Sequence, residues 1–484
     1  MILYNTLGNK KEIFKPIHDK SVGLYTCGPT AYFYAHIGNM KAYIDEDLLK
    51  RTLLYNGYKV KHVMNVTDVG HLKSDQESGE DKVRAEAMAE HKTMREIVDF
   101  YSNLFFSDLK KLNIIMPDII MRASDAIEDI LKLIDILDKK GYLYKTKEGI
   151  YFDTSKFKNY GALIGMSFEQ LNKQLKAGAR VERSTELKNI TDFAVWRFAP
   201  EDEKEMVWES RFGRGFPGWH IECSAISMKN LGEHFDIHCG GIDHIPIHHT
   251  NEIAQSEAAT DKKFVNYWFH VGFLTVNGSK MAKSLKNIYT LADLEKKGYS
   301  PLAYRFFIIS GNYREEMNFT FEALNNAKNT LENIYVFINK LSTLSNAATN
   351  NDSKKFLENA DTLKNEFFDH VNNNLDMPNA LSTMFKLIKE VNTRKAEGKL
   401  DIKEAKHILK IMLEFDKIIG INMDNYIIKE ELSNEVSELI RERDESRAKK
   451  DFKRADEIRN ILNTKYNIIV EDTKEGTVWH KKFN

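Results

Sequence analysis

Four side chains that are distant in sequence could bind one metal ion together. Cys27 and Cys223 supply thiols, while His248 and Glu252 stand four residues apart, which places both on one face of a helix. Zinc accepts thiolate, imidazole and carboxylate ligands in a tetrahedral arrangement, so these residue types predict a zinc site. No local Cys-x-x-Cys pair marks this site in the sequence.

Two neighbouring candidates leave the ligand set open. His249 stands three residues before Glu252 and therefore competes with His248 for the imidazole position. The remaining cysteine, Cys239, is interpreted as an apolar filler of the core, which is the commoner role of a single cysteine. Three cysteines are too few for a disulfide framework and favour a reduced, cytoplasmic protein.

A candidate phosphate-binding loop follows the first of these cysteines. Residues 22–25 predict a short buried strand, the residues from Gly28 break it, and a helical pattern runs from Asp45 onward. At such a strand, loop and helix junction the backbone and the helix N-terminus face an anion, so His36 and Asn39 would direct side-chain donors toward a nucleotide phosphate. Taken alone, the segment would be a turn with a surface histidine.

A third candidate is the loop 280–284, Lys-Met-Ala-Lys-Ser, which follows a predicted strand at 273–276. It presents Lys280 and Lys283 three positions apart. Two ammonium groups suit the negative charge that builds on a triphosphate during attack at its α-phosphorus. By itself, a lysine-rich loop is more often solvated surface.

The elements around these residues predict a parallel α/β sheet. A second buried strand at 59–64 follows the first helix and completes a βαβ unit, and its polar end, Thr67 and Asp68, would line a ligand crevice. From about 114 to 200 the pattern changes to short strands and turns, which we interpret as an inserted module. A strand, glycines and a helix then recur between 234 and 257.

Beyond residue 320 the chain changes to long amphipathic helices, which are typical of a helical bundle. The tail predicts one further charged helix at 436–462 and a short strand at 468–470. We therefore expect three regions: a catalytic domain at 1–320, with an insert at about 114–200 and the loop at 280–284, a helical bundle at 321–428, and a C-terminal module at 429–484.

The composition agrees with this organisation. A chain of 484 residues is too long to fold around a single hydrophobic core, and its length predicts about three domains. Hydrophobic residues make up 42% of the chain, which is ample for burial. Lys and Arg number 70 against 71 Asp and Glu, so the net charge of -1 does not indicate a nucleic-acid-binding protein. An RNA partner would have to bind to local patches of the surface. No apolar run approaches the length of a membrane span, so we expect a soluble, cytoplasmic protein without a membrane partner.

These segments, in this order and spacing, resemble the cysteinyl-tRNA synthetases, a family of class I aminoacyl-tRNA synthetases, over essentially the whole chain. Residues 36–39 are similar to the HIGH signature of the family, and residues 280–284 are similar to its KMSKS loop. Residues 219–223 and 240–243 resemble further family blocks, and residues 450–479 resemble the anticodon-binding end.

The resemblance implies a fold and a reaction. The fold is a Rossmann-type parallel-sheet catalytic domain with a connective insert, followed by an α-helical bundle and a small C-terminal α/β module. The reaction activates L-cysteine with ATP, supplied with Mg²⁺, to cysteinyl-adenylate and pyrophosphate, and then transfers the cysteinyl group to the 3'-terminal adenosine of the cysteine tRNA. A zinc ion would bind the substrate thiolate and so select cysteine over serine. We expect the enzyme to be a monomer.

Residue roles follow from the resemblance position by position. One zinc ion per chain is held by four residues: Cys27, Cys223, His248 and Glu252. The residues assigned to ATP and catalysis are His36, Gly38, Asn39, Asp243, Lys280 and Lys283, and Trp219 lies beside the substrate thiol. Three places depart from the family pattern: Asn39 stands for the second signature histidine, Ala282 for a serine, and Gly70-His71 for two acidic residues.

Two other classes of function remain open. A ligase that joins activated cysteine to an amino sugar would share the catalytic domain but would not need anticodon recognition, and the long C-terminal region disfavours it. A non-catalytic, zinc-containing RNA-binding protein descended from a synthetase would show damaged nucleotide motifs, whereas His36 and both lysines are kept in this chain.

Overall fold

The computed structural model describes residues 1–69, 92–178, 186–282, 285–344, 352–427, 434–466, 468–473 and 476–481. Its strands are β1 (Ile2–Asn5), β2 (Lys10–Ile13), β3 (Ser21–Thr26), β4 (Lys59–Val66), β5 (Ile119–Arg122), β6 (Leu143–Lys145), β7 (Gly149–Phe152), β8 (Phe193–Phe198), β9 (Gly215–Pro217), β10 (Phe235–Gly241), β11 (Val265–Val271), β12 (Leu274–Val276), β13 (Ser279–Lys280), β14 (Met317–Phe319), β15 (Ile468–Thr473) and β16 (Gly476–Lys481). Its α-helices are α1 (Ile37–Tyr55), α2 (Met94–Lys111), α3 (Ile127–Lys139), α4 (Phe168–Gly178), α5 (Trp219–Leu231), α6 (Thr250–Thr260), α7 (Leu291–Lys296), α8 (Pro301–Ile309), α9 (Phe321–Ser342), α10 (Ser353–Asn372), α11 (Met377–Ala396), α12 (Ile402–Ile419), α13 (Asn434–Ala448) and α14 (Phe452–Lys465).

A five-stranded parallel sheet with the order β11-β10-β3-β4-β5 forms the centre of the N-terminal half. Strands of such a sheet are buried on both faces, and β3 accordingly carries the fully buried side chains of Leu24 and Tyr25, which point to opposite faces. From β3 the chain continues to β4 on one side, and it returns later to β10 on the other side. The carboxyl ends of β3 and β10 therefore border the crevice in which open α/β sheets bind ligands.

Smaller sheets accompany the parallel sheet. The strands β6-β7-β8-β9 form an antiparallel sheet in that order, and the short strands predicted at 149–153 and 192–196 are its members β7 and β8. A three-stranded sheet has the order β13-β12-β14, and β1 pairs with β2. The strand β12 leads directly into the loop that carries Lys280.

The chain divides into two compact units by its internal contacts. Unit 1 consists of Met1–Leu294, Gly311–Phe319 and Asn372–Leu375, and unit 2 consists of Glu295–Ser310, Thr320–Val371 and Asp376–Asn484. Unit 1 contains the parallel sheet, and unit 2 contains the long amphipathic helices that the sequence predicts beyond residue 320. None of the helices in the described ranges is long and apolar enough to cross a membrane.

A buried ion pair joins two helices of unit 2. Arg394 of α11 donates from Nε and Nη2 to the carboxylate of Glu404 in α12, over 2.9 and 2.7 Å. Glu404 is fully buried and also belongs to the capping box that begins α12, where its carboxylate accepts a hydrogen bond from Asp401 N–H over 3.2 Å and its own N–H donates to Asp401 Oδ1 over 2.8 Å. One carboxylate therefore fixes both the start of α12 and its packing against α11.

The charged tail forms two helices, so the prediction of a single helix at 436–462 is wrong. Residues 449–451 separate α13 from α14. Lys450 has a left-handed backbone with a φ of 61°, and Asp451 caps α14 by accepting a hydrogen bond from Arg454 N–H over 3.1 Å. The two helices and β15 close a small core made of Val436, Ile458, Leu462, Ile468 and Val470.

Candidate metal and nucleotide site

Close backbone packing fixes Cys27 directly after β3. Gly28 donates its backbone N–H to Asn65 Oδ1 over 2.7 Å. A Cβ atom on Gly28 would lie 1.6 Å from the backbone oxygen of Asn65 near the end of β4, so only glycine fits there. Toward the other neighbouring strand, Cys27 N–H donates to the carbonyl of Cys239 in β10 over 3.4 Å. The Cys27 thiol is therefore held at the carboxyl ends of the central strands.

The other three predicted ligands come from α5 and from the segment that leads into α6. Cys223 lies on α5, His248 lies in a π-helical turn at Ile245–His249, and Glu252 lies in the first turn of α6. One ligand atom from each of these side chains and from Cys27 lies within 4.8 Å of all the others. Cys27 is partly buried, and the other three residues are buried. The structure thus brings together the four residues that the sequence singles out.

One buried carboxylate oxygen in this group receives no well-aligned hydrogen bond from the described residues. His248 Nε2 lies 3.0 Å from Glu252 Oε1, whereas His249 Nε2 lies 3.9 Å from the same atom, so the distances favour His248. Glu252 Oε1 is completely buried, and no hydrogen bond of good geometry reaches it from the described residues. Such an oxygen costs free energy unless a cation or a donor satisfies it. The orphaned oxygen and the soft donor set both fit a zinc ion.

The electrostatics of this pocket favour the ionised forms of Cys223 and Glu252, whereas burial raises the pKa of the Cys27 thiol. Burial alone would raise the pKa of the Cys223 thiol, but the hydrogen bond from Cys27 and the charge of His248 lower this pKa to about 6. Burial would also raise the pKa of Glu252, but the histidines His238 and His248 lower it to about 2. Cys223 and Glu252 are therefore anionic near neutral pH, the form in which thiols and carboxylates bind metal ions.

Trp219 forms a wall of this pocket. Its ring centroid lies 4.5 Å from that of His248, with 37° between the two planes. On its other side, His248 Nδ1 lies 2.9 Å from Nδ1 of the buried His220. Asp243 is exposed and follows β10, where a Cβ atom on Gly241 would lie 2.2 Å from Asp243 Oδ1. Trp219 therefore adjoins the donor group, whereas Asp243 stands at the exposed end of β10.

The residues of the histidine signature cap α1. His36 Nδ1 accepts from Asn39 N–H over 3.2 Å, and Asn39 Oδ1 accepts from His36 N–H over 3.1 Å. This reciprocal cap starts the helix at Ile37, earlier than the pattern from Asp45 predicts. Burial lowers the pKa of His36, so its ring is neutral near pH 7 and the proton is on Nε2. Within the described ranges, the two cap bonds do not engage His36 Nε2–H, the Asn39 amide nitrogen or Gly38 N–H, which lie at the positive end of the helix dipole.

Met281, in the described part of the loop 280–284, lies against this capped helix end. A Cβ atom on Gly38 would lie 2.2 Å from Cε of Met281, so the two segments touch. Just beyond the loop, Tyr289 accepts a hydrogen bond from Ile37 N–H over 2.8 Å. The structure therefore places the two candidate phosphate-binding segments side by side.

A side chain braces the first half of this loop. Asn287 Oδ1 accepts from Ala282 N–H over 2.9 Å, and Asn287 Nδ2 donates to Lys280 O over 3.1 Å. Lys280 is exposed, and its Nζ lies 5.8 Å from the centroid of the Phe273 ring. Lys283 lies outside the described residues, as do Ser284 and the Gly70-His71 departure from the family pattern.

Internal hydrogen bonds engage the two polar residues that were expected to line the crevice after β4. Ser124 donates to the Asp68 carboxylate from its backbone N–H and its hydroxyl, over 2.9 and 2.5 Å. Thr67 Oγ1 donates to Glu222 Oε2 over 3.1 Å. These contacts tie the end of β4 to the turn after β5 and to α5.

Buried histidines around the donor group are missing from the sequence-based prediction. His238 Nε2 in β10 lies 2.9 Å from Glu252 Oε2, and His270 Nε2 in β11 lies 2.7 Å from His249 Nδ1. Both rings are buried. The available signal was the density of histidines between residues 238 and 270, but two of them stand in strands whose neighbours the sequence does not reveal.

The comparison with known proteins first defines a class. Residues 13–329 match the family model for the catalytic domain of tRNA synthetases class I (C). The methionyl-tRNA synthetase of Mycobacterium tuberculosis, bound by methionyl-adenylate, has the same fold, with a TM-score of 0.59, 16% identity, and coverage of 85% of this chain and 92% of that chain. The LeuRS of Agrobacterium radiobacter K84 gives a TM-score of 0.61 at 10% identity, with 85% and 86% coverage. The catalytic unit is that of a class I aminoacyl-tRNA synthetase.

Full-length relatives then define the family. The chain is 43% identical over 504 residues to the cysteine–tRNA ligase of Treponema denticola, with 99% of each chain covered. It is 39% identical over 485 residues to the cysteine–tRNA ligase of Brachyspira hyodysenteriae, with 100% of this chain and 99% of that protein covered. The chain therefore belongs to the cysteine–tRNA ligase family, and the predicted family and α/β fold class are confirmed.

Proposed function

We propose that this enzyme activates L-cysteine with ATP to cysteinyl-adenylate and transfers the cysteinyl group to the 3'-terminal adenosine of the cysteine tRNA. The observation that supports this most directly is the convergence of Cys27, Cys223, His248 and Glu252 at the carboxyl ends of β3 and β10. Helix α1 adjoins this pocket, because the Tyr43 hydroxyl donates to the Cys27 carbonyl over 3.4 Å. The sulfur-rich pocket and the helix end that we assign to phosphate binding thus border the same crevice.

We assign one zinc ion per chain to these four side chains. When bound, zinc would take the thiol of the substrate as a thiolate far more readily than it would take the harder, less acidic hydroxyl of serine. Pocket shape alone separates such similar side chains only about 10 to 200-fold. Trp219 packs on His248 beside these donors, and we assign it to the wall of the pocket for the substrate thiol.

We assign the phosphates of ATP, with their Mg²⁺, to the capped end of α1 and the loop beside it. The residues assigned to the phosphates are His36, Gly38, Asn39, Lys280 and Lys283. Asp243, at the exposed end of β10, is assigned to the binding of ATP away from the phosphates. The donors left free by the helix cap and the positive end of the helix dipole are fixed before the reaction, so they stabilise developing phosphate charge without reorganisation. The lysines add full positive charges from the adjacent loop.

Both chemical steps require positioning more than proton transfer, so we assign no general base. We propose that the helical bundle at 321–428 spans the tRNA and that residues 429–484 contact its anticodon. The catalytic domain at 1–320 would then hold the reacting end. We expect the enzyme to work as a cytoplasmic monomer.

Cobalt substitution tests the thiolate assignment. Cysteine should add sulfur-to-cobalt charge-transfer absorption to the spectrum of the cobalt enzyme, because one more thiolate joins the metal. Serine at the same concentration should leave the spectrum unchanged. A cobalt spectrum that ignores saturating cysteine would refute direct binding, and selectivity would then belong to the residues around Trp219.

Activity assays separate the alternative functions. Cysteine-dependent exchange of pyrophosphate into ATP is expected of an activating enzyme and is absent from a non-catalytic RNA-binding protein. Acylation of the cysteine tRNA, rather than of an amino sugar, separates the tRNA ligase from the sugar ligase. Within this assay, Lys283→Ala should slow exchange far more than it weakens cysteine binding, since its charge acts mainly as the triphosphate rearranges.

A further inference from the structure

The metal pocket contains a second complete set of four donors. Cys27, His238, His249 and Glu252 each offer a ligand atom, and these atoms all lie within 4.8 Å of one another. Cys27 and Glu252 also belong to the first set, which Cys223 and His248 complete. We call the group with His238 and His249 the second set.

His238 is oriented to bind a cation through Nε2. Its Nδ1 lies 3.2 Å from the carbonyl oxygen of Cys239, which can only accept, so the ring proton is on Nδ1. Nε2 then carries a lone pair, yet it faces a carboxylate oxygen, Glu252 Oε2, at 2.9 Å. Two acceptors at this distance need a proton or a metal ion between them.

His249 has an equivalent support on its far side. Its Nδ1 lies 2.7 Å from His270 Nε2, and His270 Nδ1 lies 2.7 Å from the hydroxyl oxygen of Thr6. When each Nδ1 carries the proton, His249 donates to His270 and His270 donates to Thr6. His249 Nε2 is then left with its lone pair, 3.5 Å from the Cys27 sulfur. Outer hydrogen bonds of this kind fix the tautomer and orientation of metal-binding histidines.

We propose that the pocket offers a divalent metal ion two overlapping positions, the first set and the second set. The first set contains two thiols and one imidazole, whereas the second contains one thiol and two imidazoles. Softer thiolate ligands favour zinc in the first set, while imidazole ligands suit zinc, copper, iron and nickel. Loss of the Cys223 thiolate therefore moves the ion into the second set.

Cobalt binding to paired variants tests this. The starting protein is the full-length variant Cys223→Ser, which breaks the first set with a nearly isosteric residue. On that background, His249→Gln removes a ligand of the second set and His248→Gln removes a ligand of the first. We expect His249→Gln to weaken cobalt binding at least about tenfold and His248→Gln to leave it within about threefold. X-ray absorption of the cobalt-loaded Cys223→Ser protein should show one sulfur and two imidazole neighbours.

The opposite dependence overturns the proposal. If His248→Gln weakens cobalt binding as much as His249→Gln or more, the ion remains in the depleted first set and the second set is not a metal position. Circular dichroism at matched concentration identifies any variant that fails to fold, and the X-ray absorption of Cys223→Ser alone then decides between the sets. The readout is metal affinity and coordination, so this outcome is independent of whether the enzyme charges a tRNA.

Discussion

The buried histidine His62 should make unit 1 less stable in acid. Its Nε2 lies 2.8 Å from the Thr26 hydroxyl, and its Nδ1 lies 3.4 Å from Nζ of Lys50. Burial, reinforced by the positive charge of Lys50, lowers the pKa of His62 from 6.5 to about 3. In the unfolded chain neither effect operates, so the same ring titrates near its ordinary pKa.

The sign and size of the effect follow from this difference. Below pH 6.5 the unfolded chain binds a proton that the folded chain does not accept until about pH 3. The contribution of His62 to the free energy of unfolding is therefore complete above the unfolded pKa and falls as the pH falls. With these two pKa values, the loss is about 2 kcal/mol at pH 5 and about 3 kcal/mol at pH 4.

Urea unfolding of the wild type and of His62→Gln at several pH values measures this loss. Glutamine keeps a polar side chain but does not titrate, so His62→Gln should not suffer this loss. We expect the variant to be less stable than the wild type at pH 7. Between pH 7 and pH 5, its free energy of unfolding relative to that of the wild type should rise by about 2 kcal/mol. His18→Gln removes an exposed histidine from the same unit and should keep the wild-type loss. A stability gap between wild type and His62→Gln that stays constant over this range would refute the reasoning.

Changes at three other places separate packing from chemistry. Gly28→Ala should destabilise the fold by about 3 kcal/mol or more and abolish stoichiometric zinc binding, since the new Cβ would meet the Asn65 backbone oxygen at 1.6 Å. Metal analysis of the soluble protein checks this, and a full zinc content would contradict it. Glu404→Gln should destabilise unit 2 by about 3 kcal/mol in urea unfolding, because it removes the buried charge that faces Arg394 and leaves only the exposed Asp352 carboxylate as its anionic partner. An unchanged unfolding midpoint would count against this. Deletion of residues 434–484 removes two helices and a hairpin that have their own small core. Pyrophosphate exchange should therefore persist while tRNA charging falls. Loss of exchange would argue against a separate C-terminal module.

The sequence was informative about the donor set because ligand chemistry restricts the choice of residue types. Thiols, imidazole and carboxylate are few in this chain, so Cys27, Cys223 and the spacing of His248 and Glu252 could be found without knowledge of the fold. Periodicity likewise predicted the long helices of unit 2 and the buried strand β3. In each case, the signal is local or is carried by a rare residue type.

The features that escaped prediction depend on partners distant in sequence or on a single backbone angle. His238 looks like any residue of a buried strand until β10 is placed against α6. The start of α1 was placed too late because Gly38 and Asn39 are poor helix formers, whereas a reciprocal cap with His36 outweighs their propensity. The break in the tail depends on the left-handed backbone of Lys450, which the continuing charge pattern conceals.

The hydroxyl of Thr6 is the outermost member of the hydrogen-bonded chain that runs through His270 to His249. The same segment is tied to β11, where Thr6 N–H donates to the Trp268 carbonyl over 3.1 Å and Trp268 N–H donates to Asn5 Oδ1 over 3.0 Å. In a genetic screen, Thr6 would therefore be recovered among active-site mutations although it is not a ligand itself. An affinity tag that disturbs β1 would weaken the same support of His249, so a C-terminal tag is the better choice for metal-binding studies.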